Sequence, residues 1–404
     1  MPIDAADGGD GLAIPLARWA DRRLRVLAEL TGSDRIAALD GPTILGERGS
    51  SGGFVINGRV SAGIGGSRLM RTRDGGWFAL TILRNEDREL LPALFGDGTI
   101  DIASNEDIAR HAAMHNCDDL VARGRELGLP VASADERPQW PPVEVMATGQ
   151  TRLRNPDHRP LVIDMSAIWA GPLAGHLLWL AGAQVVKVES LTRPDLIRRD
   201  DPATFDLINQ GKANVVVDFG SEKEKEALID LIRRSDFVIE SSRPRALRHL
   251  GIDADELVRE TPGLVWLTVT AHGATGEAAN WVGVGNDCCV ASGLSRAMQQ
   301  SGGEIGYVGD AITDPLTGIT AAIEGWKAYW SGTAQRIGFS MSAIAAMALS
   351  EERALDHELL DAELRAWSHA IGRTFPHVPR RPMFEDARPL GADTEDWIRT
   401  AAPC

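Results

Sequence analysis

The chain has 404 residues, 44% of them apolar and 25% charged, which is enough for two domains with separate cores. A net charge of −15 argues against nucleic acid or an anionic membrane as partner, so an anionic ligand would need a local basic patch. Four cysteines (Cys117, Cys288, Cys289 and Cys404) show no metal-ligand spacing, and the adjacent pair is a poor disulfide candidate.

The opening MPIDAADGGDG is acidic and glycine-rich, unlike a signal peptide, and together with the cysteines it implies a cytoplasmic chain. Leu16 to Leu30 carries apolar residues on one face, with Arg22, Arg23 and Arg25 elsewhere, and predicts a helix. Residues 46–68 are rich in glycine and serine and read as a loop. It is either flexible surface chain or a backbone cradle for phosphate, and it lacks the Gly-Lys-Ser/Thr of a P-loop. RLMRTRDGGWFALTIL predicts a hairpin turning at Asp74-Gly75-Gly76, and helices follow near 86–95, 104–113 and 117–127. His111 and His115 at i,i+4, with Cys117 close by, have the spacing of a metal set. No glutamate completes H-E-x-x-H, and the surface-histidine reading is preferred.

Proline-rich 133–160 reads as a linker. Residues 161–190 then form a complete strand–helix–strand unit. A buried strand covers 161–165, a helix starts near Gly171-Pro172 and stops at Gly182, and a second strand covers 184–189. Such a crossover puts a ligand crevice at the carboxyl ends of the strands, over Ser166–Gly171 and from Ser190 onward. Further strands are predicted at 214–219, 237–240 and 264–270. An amphipathic helix at 221–234 turns Ala227, Leu228, Leu231 and Ile232 inward, and apolar helices cover 315–330 and 339–350. The alternation gives an α/β fold with a doubly wound, Rossmann-like parallel sheet.

The segment AGPLAGHLLWLAGAQVVKVE resembles the opening of the family III CoA-transferases, which include α-methylacyl-CoA racemases. Five further segments match in the same order: NQGKANVVVDF, DFVIESSRPRALRHLG, PGLVWLTVTAHGATG, GVGNDCCVASGL and DPLTGITAA. The resemblance implies a small α+β domain over 14–132, the linker 133–160, and a large CoA-binding domain over 161–404 that ends in the family-like tail ARPLGADTEDWI. The small domain follows the large one in the usual family order, so this chain looks circularly permuted. The resemblance also implies an interlocked homodimer, coenzyme A as substrate and product thioester, a carboxylic acid as co-substrate, and no metal.

By the same resemblance Asp314 falls on the nucleophilic aspartate of the transferases, which racemases use for proton transfer. Locally, Asp314-Pro315 also reads as a helix N-cap followed by proline at the first helical position, and the two readings are compatible. Asn286 occupies the position of the racemase histidine and has no acid–base capacity, which disfavours two-base racemisation. Asp287 aligns with an acidic residue of the acyl site, or is a turn aspartate. Positions implied to contact CoA are Trp169, Ala170, Ser190, Val217, Phe219, Ser241, Ser242, Arg243 and His249. Several of these replace family arginine, asparagine or aromatic positions. Arginines between 193 and 199 or between 243 and 248 would then supply positive charge for the phosphates. Cys288 and Cys289 read as buried packing. The expected activity is CoA transfer from an acyl-CoA to a carboxylic acid. Acyl-CoA epimerisation and non-catalytic CoA-ester binding are the alternatives.

Overall fold

A computed structural model describes residues 11–63 and 66–399. Three strands, β1 (Ser67–Arg71), β2 (Trp77–Thr81) and β3 (Val131–Ser133), form an antiparallel sheet in the order β1-β2-β3. The β1–β2 turn falls at Asp74-Gly75-Gly76, where Gly75 takes φ 82°, and Asp74 Oδ1 accepts from the Thr72 hydroxyl at 2.6 Å. Short helices between 85 and 127 cover one face of this sheet through Phe78, Leu80, Leu94, Ile108 and Leu120.

The second sheet holds β4 (Val143–Thr151), β5 (Leu161–Asp164), β6 (Gln184–Glu189), β7 (Ala213–Val216), β8 (Phe237–Glu240), β9 (Val265–Thr270) and β10 (Thr333–Ser340). Its order is β4-β10-β9-β8-β5-β6-β7, parallel throughout except for the antiparallel edge strand β4. The chain winds outward from β5 through β6 to β7, then returns past β5 to continue through β8, β9 and β10. The strand order therefore reverses between β5 and β8, and there the carboxyl ends open a crevice.

Both faces of the sheet are covered, which is why its strands are apolar runs without alternation. On one face the helix Thr313–Ser331 packs against the helix Ala170–Leu180, whose eleven residues are all buried, and against the helix Ala17–Thr31 through Trp19, Leu24 and Leu27. On the other face lies the predicted amphipathic helix, observed as Glu222–Arg234, with Leu228, Leu231 and Ile232 buried. Among the described residues no helix is long and apolar enough to cross a membrane.

Several sequence expectations are corrected. The 133–160 stretch holds β4, whose pairing with β10 makes it part of the large sheet and not a spacer. Residues 14–51 join the core of that sheet, so the helix Ala17–Thr31 does not belong with the small one. Residues 46–51, the start of the expected 46–68 loop, belong to the helix Gly41–Ser51. A Cβ at Gly49 would sit 2.8 Å from the Phe375 ring, so this glycine serves close packing. The strand β10 carries no strand pattern in the sequence because Gln335 and Arg336 interrupt its apolar run. Its burial comes from β9 on one side and β4 on the other. His111 is 5% exposed and bonds Asp107 O through Nδ1, while His115 turns its own Nδ1 to His111 O.

Candidate active site

A cavity of about 330 Å³ opens at the strand-order reversal. Its walls come from the segments that follow four parallel strands: Ala167–Gly171 after β5, Ser241–Arg243 after β8, Ala271 after β9 and Met341 after β10. Further lining comes from Trp281–Asn286, Asp310, Ala311 and Asp314, from Arg48 on the helix Gly41–Ser51, and from Leu83 and Arg84 just beyond β2. The small sheet and the large sheet of one chain thus share the cavity.

The turn after β5 is held by buried charge. Lys187 donates to Ser166 O at 2.9 Å and pairs with Asp195 at 3.0 Å, and both Asp195 oxygens accept from Ile168 N at 3.2 Å. Lys212 pairs with Asp164 at 2.8 Å, and Asp164 also takes the Ser166 hydroxyl. These bonds hold Ile168 at φ 71°, a region that a β-branched residue adopts only under constraint from its surroundings. Ala311 is the second non-glycine residue of the cavity wall at positive φ, at 43°. Backbone strain at two points of one cavity wall is a usual mark of a functional site.

Asp314 stands between these two turns and is 7% exposed. It does not cap its own helix: the N-cap position is Ile312, and no side chain caps that end. Asp314 Oδ1 instead accepts from Ala170 N, the first residue of another helix, at 3.3 Å. The carboxylate therefore faces the amino ends of two long helices, both of which favour negative charge. Gly285 makes room for Oδ2, since a Cβ there would overlap that oxygen. Burial raises the Asp314 carboxyl from 3.8 to about 7. The Ala170 amide and Arg48 oppose the rise, and the charges of Asp310 and Asp287 add to it.

Arg48 joins Asp201 at 2.9 Å and Asp310 at 2.7 Å and lies over the rings of Phe54 and Trp169. Burial pushes Asp310 up and Arg48 holds it down. Nothing in the local sequence marked Arg48, because its role depends on a helix brought in from over a hundred residues upstream.

Of the residues expected at the site, the cavity brings together Asp314, Asn286, Trp169, Ala170, Ser241, Ser242 and Arg243. Asn286 Oδ1 accepts from Ala311 N at 3.3 Å and so braces the strained turn. Asp287 does not line the cavity. It is fully buried and accepts from Val284 N at 3.0 Å and Thr81 Oγ1 at 3.4 Å, which turns it toward the small sheet. Ser190 bonds Thr192 outside the cavity, because the crevice lies between β5 and β8 while Ser190 follows β6. Val217 is buried in the far-face core with Phe219 packed against it, and His249 is exposed away from the lining. Of the candidate phosphate arginines, Arg198 is taken by Glu189 at 2.5 Å and Arg199 by Asp200 at 2.6 Å. Arg243 is exposed and lines the cavity, as does Arg84.

The model of CoA-transferase family III matches residues 160–377. The chain is 30% identical over 169 residues to a probable fatty acyl-CoA transferase of Mycobacterium tuberculosis, covering 40% of this chain and 43% of that protein. It is 31% identical over 200 residues to a formyl-CoA:oxalate CoA-transferase of Streptomyces coelicolor, covering 45% and 46%. A solved CaiB/BaiF family protein from Brucella suis aligns over 51% of this chain and 58% of its own, at 26% identity and a TM-score of 0.46. The chain thus spans about half the length of the relatives it matches. The family match takes in more than half of the 404 residues, and this chain belongs to CoA-transferase family III.

Proposed function

We propose that this chain moves CoA from an acyl-CoA thioester to a carboxylic acid, with Asp314 as covalent nucleophile. The observation that carries the reading is the Asp314 carboxylate in the wall of the crevice cavity, held by the first amide of another helix and not spent as a cap of its own. Its ionised oxygen attacks the thioester carbonyl and expels CoA thiolate, leaving a mixed anhydride. The thiolate then attacks the aspartyl carbonyl and releases the first carboxylate, leaving an aspartyl-CoA thioester. A second carboxylate runs the two steps in reverse and restores Asp314. Every step exchanges one acyl bond for another of similar energy, so no ATP is consumed. The named activities of the relatives, formyl-CoA:oxalate and succinate–glutarate CoA-transferase among them, support this class.

Two-base epimerisation fits less well. Asn286 cannot shuttle a proton, and Asp287 lies outside the cavity. The small-unit-first order is read as a circular permutation, in keeping with a family match that begins only at residue 160. The interlocked homodimer is part of the same reading, and sedimentation mass tests it. The deciding experiment incubates the protein with a panel of acyl-CoAs and maps tryptic peptides by mass spectrometry. A CoA-sized adduct on the peptide that holds Asp314 is expected. Deuterium uptake at the α-carbon with no acceptor acid and no adduct would replace transfer by proton chemistry. Thermal stabilisation by CoA with neither would leave a binding protein.

A further inference from the structure

Behind the Gly283 strip of the cavity wall lies a second polar cluster that the transfer chemistry does not use. His272, Asp287 and Cys288 are 3%, 0% and 0% exposed, and one donor atom from each lies within 4.8 Å of the others. Asp287 Oδ2 is 3.6 Å from His272 Nε2 and 3.9 Å from Cys288 Sγ. Asp287 Oδ1 is occupied by Val284 N and Thr81, which leaves Oδ2 to the cluster. His272 Nε2 is buried and has no hydrogen-bond partner, although it points at that oxygen. Among the described residues no lysine or arginine lies within 4.0 Å of this carboxylate. A buried carboxylate with no lysine or arginine beside it thus meets a buried imidazole nitrogen that makes no hydrogen bond.

We propose that His272, Asp287 and Cys288 bind one divalent cation of the zinc class. The donor set is imidazole, carboxylate and thiol sulfur, the mix that suits zinc. Zinc bonds of about 2.0 Å to nitrogen and oxygen and 2.3 Å to sulfur give tetrahedral edges of roughly 3.3–3.6 Å. The two edges at Asp287 Oδ2, 3.6 and 3.9 Å, close by a few tenths of an ångström, and the His272–Cys288 edge, within 4.8 Å, closes by a side-chain shift of up to about 1 Å. Binding sends the thiol proton of Cys288 to solvent and changes no oxidation state. A dication with one carboxylate, one thiolate and a neutral imidazole is electroneutral, which is what so buried a site requires. Water fills the fourth position. Gly283 borders the site, and a Cβ there would stand 2.6 Å from Asp287 Oδ2 and 2.9 Å from His272 Nε2. The ion ties the chain leaving β9 to the helix Gly285–Ala291 and fixes the Trp281–Gly285 wall between them.

The test strips the full-length protein with a chelator and titrates it with zinc chloride, reading bound metal by mass spectrometry and stability by thermal unfolding. Cobalt(II) is then substituted to look for a thiolate-to-metal charge-transfer band. One equivalent of zinc, a higher Tm and a cobalt band are expected. His272→Gln and Cys288→Ser should each weaken binding at least about tenfold, and Cys288→Ser should abolish the band. Cys289→Ser, a buried thiol that faces Val308 O, should keep it. The wild-type spectrum decides even where a variant does not fold. Folded wild-type protein that takes up no zinc and gives no cobalt band, or a band that survives Cys288→Ser, overturns the site.

Discussion

Replacing Asp314 by Asn should stop CoA exchange and at the same time stabilise the protein at alkaline pH. The folded carboxyl titrates near 7, while in the unfolded chain it returns to the ordinary 3.8. Between those values the folded state holds more protons than the unfolded one, so stability falls as pH rises. Each unit is worth about 1.4 kcal/mol, so the full penalty on the ionised, buried form is about 4 kcal/mol above pH 7. The asparagine variant keeps the shape and carries no charge. Its advantage over wild type should therefore grow by about 3 kcal/mol between about pH 5 and pH 8, two units of that window. Urea unfolding of both proteins at the two pH values measures the growth directly. A difference that does not change with pH would refute the buried-carboxylate assignment, and retained turnover in Asp314→Asn would refute the nucleophile. Exchange by the wild type should likewise rise with pH through about 7, since only the ionised form attacks.

Gly285→Ala places a methyl onto Asp314 Oδ2 and 2.6 Å from Ala311 Cβ. The carboxylate must move, and exchange should fall roughly 100-fold in steady-state assays while near-ultraviolet circular dichroism persists. Arg48→Met leaves Asp310 buried without its cation and should cost about 3–5 kcal/mol in urea unfolding, whereas a surface ion pair would cost under about 1 kcal/mol. Arg243→Ala removes an exposed cation of the cavity wall. The KM for acyl-CoA should rise about tenfold with kcat retained, and the rise should shrink at high salt.

Local sequence carried a great deal of this molecule. Glycine, proline and the short apolar runs marked β5 through β9, because a strand buried on both faces has no polar alternation to blur its signal. The same reasoning placed the hairpin at Asp74 and the inward stripe of the helix Glu222–Arg234. The aspartate before Pro315 stood out by resemblance and now lines the cavity. Other features had no local trace. β10 contains Gln335 and Arg336 and is a strand because β9 and β4 flank it. Ser190 and Asp287 sit in motifs that read as binding positions, yet strand order puts one beyond the crevice and helix direction turns the other away. Leu83 and Arg84 reach the cavity from the small sheet and Arg48 from a helix packed on the large one, contacts that no spacing along the chain encodes. Periodicity reports which face of an element is buried; which elements meet at Asp314 is decided by how those faces pack.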